Sequence, residues 1–379
     1  MSPTPVTFSN PNQPSAYTWE ATNEEVAARY GVPLEDIVRF DLNTAPAPPD
    51  LAQRVMSAGT FHVSLSEYPP ADYRRLVEAA AARYGVGTEE LVVGAGADEI
   101  LDVIAKTFLV EGSRAIIPIP TYAMFRVLTE QRGALAVLVP RLGPGEGYAI
   151  DVPAIREAAR DAALVWLCSP NNPTAQPEPE GTIETLLGMI AADAAADGRP
   201  VPIVVIDEAY AEFVGRSLAD LRFDHPNVIV IRTASKAYAL AGLRVGFAIA
   251  RPDLVARMNP IRPPGSVSTV SVTVVTEALL DDELAASNVA RVSQERARLM
   301  SALQDAGWSV GPSVTNFVLV DLGSADRAAT AAEALLQRGL VPRTFPETHP
   351  LADHLRLTVR SPEQNDRLIE AVRAFQAAG

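Results

Sequence analysis

The sequence predicts an α/β protein with two units: a large one built on a mostly parallel sheet covered by helices, and a smaller α+β one. Short apolar runs alternate with helical patterns from about residue 75 to 250. Several of these runs are apolar at successive positions, as in strands buried on both faces. The rhythm changes after about residue 270. We therefore expect a large unit over residues 46–270 and a small unit formed by residues 1–45 and 271–379.

The large unit is expected to contain crossover helices between its strands. In chain order, the predicted strands are Leu91–Gly94, Ala115–Ile119, Leu135–Val139, Leu164–Leu167, Ile203–Ile206, Val228–Arg232 and Val245–Ile249. The helical patterns between them include Asp98–Leu109, Tyr122–Gly133 and Ile183–Ala196.

The small unit combines N-terminal and C-terminal segments. Its N-terminal part has a predicted helix near Asn23–Tyr30 and a Pro-rich loop at Thr44–Asp50, and it either joins this unit or crosses a subunit interface. The C-terminal elements are expected in the order helical region Ser271–Ala306, strand Asn316–Val320, helix Ala325–Arg338, strands Leu340–Arg343 and Leu355–Val359, and helix Pro362–Ala377.

Composition disfavours several function classes. Acidic residues outnumber basic ones by 46 to 32, and such a surface repels nucleic acid. Cys168 is the only cysteine, which excludes an internal disulfide, and His349 and His354 lie five apart in a Pro-containing loop, so we expect no metal. Met1–Asn12 lacks a secretory pattern, and no apolar run approaches the roughly 18 residues of a membrane span. We expect a soluble, cytoplasmic protein.

Lysine is almost absent from the chain. Of the 32 basic residues only Lys106 and Lys236 are lysines. Arginine replaces lysine readily where only charge matters, but a guanidinium cannot form an imine. Lys106 lies late in an amphipathic stretch, typical of a helix surface, whereas Lys236 follows an apolar run. Lys236 is therefore the better candidate for a reactive amine.

Two motifs could bind a ligand at the ends of strands. The run Gly94–Glu99 follows a strand and opens a helix, where free N–H groups attract an anion. It is neither a dinucleotide fingerprint nor a P-loop, and an ordinary strand–helix turn is the alternative. Asn172, in Ser169–Thr174, could present its amide to a ligand oxygen, the alternative being a plain Asn-Pro turn.

Two further motifs carry charge. Asp207 ends an apolar strand at the edge where open α/β sheets bind ligands, and it suits a protonated ring nitrogen, unless it only caps the next turn. Thr233, Ser235, Lys236 and Arg244 could bind a phosphate and form an imine beside it. The alternative is a surface loop with a stray lysine.

Taken in order and spacing, the motifs resemble the fold-type I pyridoxal-phosphate enzymes, and most closely the histidinol-phosphate aminotransferase family of class I/II aminotransferases. The similarity runs from about Tyr17 to the C-terminal helix. Besides the motifs above, the matching runs are Leu42-Asn43, Glu67-Tyr68-Pro69, Pro120-Thr121-Tyr122, Asp207–Tyr210, Arg232–Gly246 and Leu355–Val359. The resemblance implies an enzyme that uses pyridoxal 5′-phosphate to exchange an amino group between an amino donor and a 2-oxo acid. We expect the donor to be a phosphorylated amino compound, with histidinol phosphate the best single candidate, and the 2-oxo acid to be 2-oxoglutarate.

The resemblance also implies roles around the coenzyme ring. Lys236 would hold the coenzyme as a Schiff base and shuttle a proton, and Asp207 would pair with the pyridinium nitrogen. Asn172 and Tyr210 would hydrogen-bond the 3′ oxygen of the ring, and Tyr122 would stack on its face.

The coenzyme phosphate and the substrate have implied partners as well. The phosphate would be held by the groups that the loops present, namely the N–H groups of Ala97 and Asp98 with Thr233, Ser235 and Arg244. Tyr68 would reach the phosphate bound in the other subunit, which implies a homodimer with shared active sites. Arg356 would bind the substrate α-carboxylate and Arg343 a substrate phosphate, with Tyr17 and Asn43 also facing the substrate.

Three departures from the family pattern leave the substrate open. Asn43-Thr44-Ala45-Pro46 stands where Asn-Glu-Asn-Pro is usual, close to the substrate, while Ala175 and Arg360 replace glycines and bear on turn geometry and surface charge. The alternatives are an aromatic or general amino-acid aminotransferase, a decarboxylase of a phosphorylated amino acid, and a coenzyme-binding regulatory module without activity. The intact set of Lys236, Asp207 and Arg244 disfavours the last.

Overall fold

The computed structural model describes residues 16–59, 61 and 63–378. The expectation of no secretory signal at Met1–Asn12 therefore concerns residues outside the described ranges. The strands, in chain order, are β1 Val38–Arg39, β2 Leu91–Gly94, β3 Arg114–Ile119, β4 Leu135–Pro140, β5 Leu164–Cys168, β6 Ile203–Asp207, β7 Val228–Thr233, β8 Gly246–Ala250, β9 Ser309–Val310, β10 Phe317–Asp321, β11 Leu340–Val341 and β12 His354–Thr358. The seven predicted strands of the large unit are all present, with ends within one residue of the prediction.

Helices cover both faces of the central sheet and pack around the small unit. They are α1 Asn23–Tyr30, α2 Asp50–Ala58, α3 Arg74–Tyr84, α4 Gly96–Phe108, α5 Met124–Gln131, α6 Val152–Ala158, α7 Thr182–Asp197, α8 Ala211–Val214, α9 Leu221–Asp224, α10 Pro252–Met258, α11 Thr269–Leu280, α12 Leu284–Asp305, α13 Ala325–Leu336 and α14 Pro362–Ala378. Within the described ranges, none of them has the combination of length and apolar sequence needed to span a bilayer.

Local sequence sets both ends of the first helix, α1. The Thr22 hydroxyl accepts a hydrogen bond from the N–H of Glu25 at 3.2 Å, and the Glu25 carboxylate accepts from the N–H of Thr22 at 2.8 Å. This reciprocal capping satisfies two N–H groups that the helix start leaves free. Gly31 then takes a φ of +69°, a conformation that ends helices and suits glycine.

The central sheet of the described chain has seven strands in the order β2-β8-β7-β6-β5-β3-β4. Only β8 runs antiparallel to its neighbours, so the prediction of a mostly parallel sheet is confirmed. The strands β5, β7 and β8 are buried along their whole length because helices cover both faces. The carboxyl ends of β2, β3, β5, β6 and β7 consequently meet at one edge of the sheet. Apart from the run around Tyr68, which precedes β2, every predicted coenzyme motif follows one of these strands.

The small unit has its own apolar core between its strands and three helices. The strands β12, β10 and β9 form an antiparallel sheet, and β1 pairs in parallel with β11. Phe40, Leu299, Trp308, Val318 and Leu368 are buried together there. The predicted strand Leu340–Arg343 ends at Val341, and Arg343 instead forms an isolated antiparallel bridge with Arg356.

The predicted helical region Ser271–Ala306 is divided into α11 and α12. One oxygen of the Asp281 carboxylate accepts hydrogen bonds from the N–H groups of both Glu283 and Leu284, each at 3.0 Å, and so caps the start of α12. Val274, Val275 and other residues of α11 are buried in the core of the large unit, against α2 and α3. The division at residue 270 stays a prediction, and this packing favours a boundary near Asp281.

Candidate active site

A cavity of about 720 Å³ lies at the carboxyl edge of the central sheet, beside the start of the small unit. The predicted site residues that line it are Tyr17, Asn43, Ala97, Asp98, Tyr122, Asn172, Asp207, Tyr210, Thr233, Ser235, Lys236, Arg244, Arg343 and Arg356. Tyr68 is the one predicted site residue that does not line it, and its side chain is 92% exposed. The chain fold thus brings together residues that are more than 300 positions apart in the sequence.

Lys236 follows β7, and its amine points to the small unit. Its Nζ atom donates a hydrogen bond to the carbonyl oxygen of Asn43 at 3.1 Å and lies 5.6 Å from the ring centre of Tyr210. Burial lowers the pKa of Lys236 to about 8, and the positive charge of Arg356 acts in the same direction. Lys106, in contrast, forms an ion pair with Asp102 on the accessible face of α4. Only Lys236 has the environment of a reactive amine.

Asp207 is the last residue of β6, and its side chain is buried. Its Oδ1 atom accepts a hydrogen bond from the N–H of Ala209 at 3.0 Å. Burial raises the pKa of Asp207 to about 7, because a carboxylate loses its hydration there. A positively charged ring nitrogen beside this carboxylate would stabilise its ionised form, so the position suits a pyridinium partner.

The start of α4 forms a cradle for an anion. Gly96 has a φ of +81°, and a Cβ atom there would lie 2.5 Å from Nη2 of Arg244. A Cβ atom on Gly246 would lie 2.5 Å from the carbonyl carbon of Gly96, so these glycines permit a close approach of β8 and Arg244 to the helix start. The N–H groups of Ala97 and Asp98 belong to the first turn, where no helical partner exists for them.

Two hydroxyl groups and a guanidinium complete this cradle. The Thr233 hydroxyl donates to the Ser235 hydroxyl at 2.9 Å, and Arg244 donates to the Asp98 carboxylate at 2.9 Å. Tyr122 donates its hydroxyl hydrogen to the same carboxylate at 2.8 Å. Together with the free N–H groups, these donors provide the chemistry that a phosphate group requires.

The opposite wall of the cavity carries two arginines. Arg343 and Arg356 pair in an isolated antiparallel bridge, each donating its N–H to the carbonyl of the other at 3.1 and 3.0 Å. The Arg343 guanidinium donates to the Thr18 carbonyl at 2.7 Å, lies 3.7 Å from the Glu20 carboxylate and 5.4 Å from the Tyr17 ring centre. Both guanidinium groups reach the cavity that contains Lys236.

Besides Leu42 and Thr44, the cavity is lined by several residues to which the sequence assigns no role: Trp19, Asp41, Met124, Cys168, Ala209, Ala241 and Gly242. Most of these seven lie within two positions of a predicted site residue. Trp19 forms an edge-to-face pair with Tyr17 at 4.8 Å and is 70% exposed.

The family of the chain is identified by comparison with known protein families. Residues 38–372 match the family model described as aminotransferase class I and II. The chain belongs to this family. It is therefore an aminotransferase that depends on pyridoxal phosphate.

Relatives of this aminotransferase cover nearly the whole chain. It is 36% identical to a histidinol-phosphate aminotransferase of Symbiobacterium thermophilum and 37% identical to one of Roseiflexus castenholzii, with 94% of each chain covered in both cases. A crystal structure of histidinol-phosphate aminotransferase from Sinorhizobium meliloti in complex with pyridoxal-5′-phosphate has the same fold, with a TM-score of 0.83. That likeness covers 95% of this chain and 96% of the other, at 24% identity.

In this aminotransferase, Asn43 joins the two units at the cavity. It has a φ of +52°, which asparagine tolerates better than most residues. Its N–H donates to Thr358 at 2.9 Å, its side-chain amide donates to the Tyr210 hydroxyl at 3.0 Å, and its carbonyl accepts from Asn316 at 2.9 Å as well as from Lys236. Its predicted contact with the substrate stays a prediction.

A cluster of possible metal ligands lies elsewhere in the aminotransferase. Asp321, Asp353 and His354 bring ligand atoms within 4.8 Å of one another among the described residues. Exposed acidic groups often lie this close without a metal ion. The expectation of no metal therefore stays a prediction.

Proposed function

We propose that this enzyme exchanges an amino group between histidinol phosphate and the 2-oxoglutarate/glutamate pair, in the cytoplasm. The observation that carries the proposal is the bridged pair of Arg343 and Arg356, which lines the same cavity as Lys236. A protein with a net charge of −14 repels an anionic substrate unless its site concentrates positive charge. Histidinol phosphate has no carboxylate, so both arginines would bind its phosphate. The names of the relatives support the same substrate.

The coenzyme roles proposed for the cavity follow from the donors and acceptors that it presents. When bound, pyridoxal phosphate supplies a ring that stabilises negative charge at the substrate Cα. Asp207 would keep the ring nitrogen protonated, and Lys236 would hold the coenzyme and move a proton at the substrate Cα. The hydroxyl of Tyr210 and the amide of Asn172 would hydrogen-bond the ring oxygen, while Tyr122 would pack on the ring face.

The coenzyme phosphate would bind at the start of α4. Its proposed partners are the free N–H groups of Ala97 and Asp98, the hydroxyl groups of Thr233 and Ser235, and the guanidinium of Arg244. This arrangement places the phosphate at a helix N-terminus, where the helix dipole and the N–H groups both favour an anion.

The proposal includes a homodimer with shared active sites. Tyr68 is almost fully exposed in the single chain, and it does not line the cavity of its own chain. Its hydroxyl would bind the coenzyme phosphate of the neighbouring subunit. Each active site would then need residues from both copies of the chain.

A donor screen with the holoenzyme tests the proposal. Histidinol phosphate, histidinol and phenylalanine are each offered with 2-oxoglutarate, and glutamate formation is measured. Charge-assisted contacts to phosphate are worth about 1.5–3 kcal/mol, so histidinol phosphate should exceed histidinol by about ten- to a hundred-fold in kcat/KM. A preference for phenylalanine would contradict the proposed substrate. Carbon dioxide release from a phosphorylated amino acid without glutamate formation would favour the decarboxylase instead.

A further inference from the structure

Arg360, which follows β12, clamps a loop that borders the cavity. Its Nη1 atom donates hydrogen bonds to the carbonyl oxygens of Thr44 at 3.0 Å and Ala45 at 3.1 Å, and its Nε atom donates to the Gln364 side chain at 3.2 Å. The residue is half-buried, and burial lowers the pKa of its guanidinium. The hydrogen bonds to these two carbonyls and to Gln364 replace the water that the guanidinium loses on burial. Arg360 does not act as a simple surface charge.

The loop that Arg360 holds is hydrogen-bonded to Lys236 through Asn43. Thr44 lines the cavity, and the preceding residue, Asn43, accepts the hydrogen bond from Lys236 Nζ through its carbonyl oxygen. Asn43 has a left-handed backbone conformation, which persists only where neighbouring contacts hold it. Arg360 holds the two residues that follow it.

We propose that Arg360 is a positioning residue for Lys236: it fixes the loop Asn43–Ala45, so that the Asn43 carbonyl holds the Lys236 amine whenever that amine is free. The inference rests on the proposed role of Lys236 as the reactive amine, but not on the identity of the substrate. Without Arg360 the loop loses two charge-assisted hydrogen bonds, at Thr44 and Ala45. Asn43 keeps its own bonds to Thr358, Tyr210 and Asn316, so its carbonyl stays near Nζ but is held there less firmly.

The proposal predicts a change in the titration of Lys236. A carbonyl acceptor favours the protonated amine, so loosening this contact shifts the titration of Lys236 to lower pH. The other groups that face Nζ remain the same in every variant, and they are Asp98, Asp207, Tyr210, Arg244 and Arg356. The ammonium of Arg360→Lys can reach one carbonyl but has no planar fork for two, so it should have an intermediate effect.

Trace acetylation of the coenzyme-free protein over a pH series measures this titration. Mass spectrometry can follow each amine separately because the chain has only two lysines, and Lys106 serves as the internal reference. We expect the midpoint for Lys236 to fall by about half a pH unit or more in Arg360→Ala. The matched control is Arg367→Ala, which removes a half-buried guanidinium of the helix that follows Arg360, α14, where it donates to the Asp36 carbonyl. It should leave the midpoint unchanged.

Steady-state kinetics of the holoenzyme supply the second readout. Arg360→Ala should lose about tenfold in kcat with whichever amino donor the enzyme uses, while Arg367→Ala should match the parent. A parental midpoint together with a parental kcat in Arg360→Ala would overturn the inference. If thermal melting shows that Arg360→Ala does not fold, the Lys236 midpoint and kcat are measured on Arg360→Lys instead. Parental values of both in that variant would overturn the inference. Failure of the histidinol phosphate proposal would change the preferred donor but not the shift in the midpoint.

Discussion

The Nη1 atom of Arg356 donates a hydrogen bond to Oδ1 of Asn172 at 2.6 Å. The bond joins β12 of the small unit to the loop after β5 of the large unit. A second bond from the same guanidinium reaches the carbonyl of Asp41, and its Nε atom has no partner. The proposed substrate arginine is thus held in place by a residue of the proposed coenzyme site, with a donor still free.

Replacement of Arg343 tests the substrate side of the cavity. Arg343→Ala should reduce kcat/KM for histidinol phosphate by about ten- to a hundred-fold, because a charge-assisted contact to phosphate is lost. Activity with an uncharged aromatic amino acid should change little. Arg338→Ala removes an exposed arginine just after the end of α13 and should leave both activities at the parental level. Equal losses on both substrates would show that Arg343 only anchors Thr18 and Glu20.

The burial of Asp207 predicts a pH-dependent stability of the coenzyme-free protein. Burial raises the pKa of Asp207 from 3.8 to about 7. Its protonated form is favoured in the folded state, so its stabilising contribution is full below pH 3.8 and is lost as the pH rises to about 7. Asp207→Asn should therefore melt above the parent by about 2–5 °C at pH 8, with a smaller difference at pH 5.

Scanning calorimetry of the two proteins at several pH values measures this difference. Asp305→Asn changes an exposed carboxylate and is the matched control, for which no such trend is expected. A constant difference between Asp207→Asn and the parent from pH 5 to pH 8 would contradict the account of Asp207.

Hybrid dimers test the shared active sites. Tyr68→Phe and Lys236→Ala should each be strongly impaired as pure proteins. When the two are mixed and subunits exchange, one of the two sites in a hybrid carries neither defect. Each hybrid should then have about half of the parental activity, and a fully exchanged equimolar mixture about a quarter. Recovery of glutamate formation after mixing is the measurement. No recovery, with hybrid formation proven by native mass spectrometry, would contradict a shared site.

Much of the fold could be predicted because its strands are locally distinct. A buried strand such as Val228–Thr233 is apolar at its first four positions, and α1 carries its own caps. The break between α11 and α12 was harder to predict, because the helical pattern of the sequence runs on through it. The hydrogen bonds that the Asp281 carboxylate accepts mark the start of α12 only in the structure. Helices α2 and α3 were not predicted. Helix α3 begins after Tyr73, whose left-handed backbone conformation is not indicated by any sequence pattern.

The site could be predicted as a set of residues, but not as a network. Asp207 and Lys236 both line the cavity because carboxyl ends of parallel strands share one edge, and their roles stay predictions. The roles of Asn43 and Arg360 depend on contacts between residues 193 and 316 positions apart, which spacing does not reveal. Ala175, which replaces a usual glycine, does bear on turn geometry, since its φ is +63°.

Reduction of the holoenzyme with borohydride, followed by peptide mapping, tests the central claim most directly. The structure leaves two candidate amines among the side chains, a buried one at Lys236 and an exposed, ion-paired one at Lys106. The pyridoxyl group should be found on the peptide that contains Lys236, and Lys236→Arg should lose both the label and turnover, since a guanidinium cannot form an imine. A label on Lys106, or full turnover by Lys236→Arg, would contradict the account.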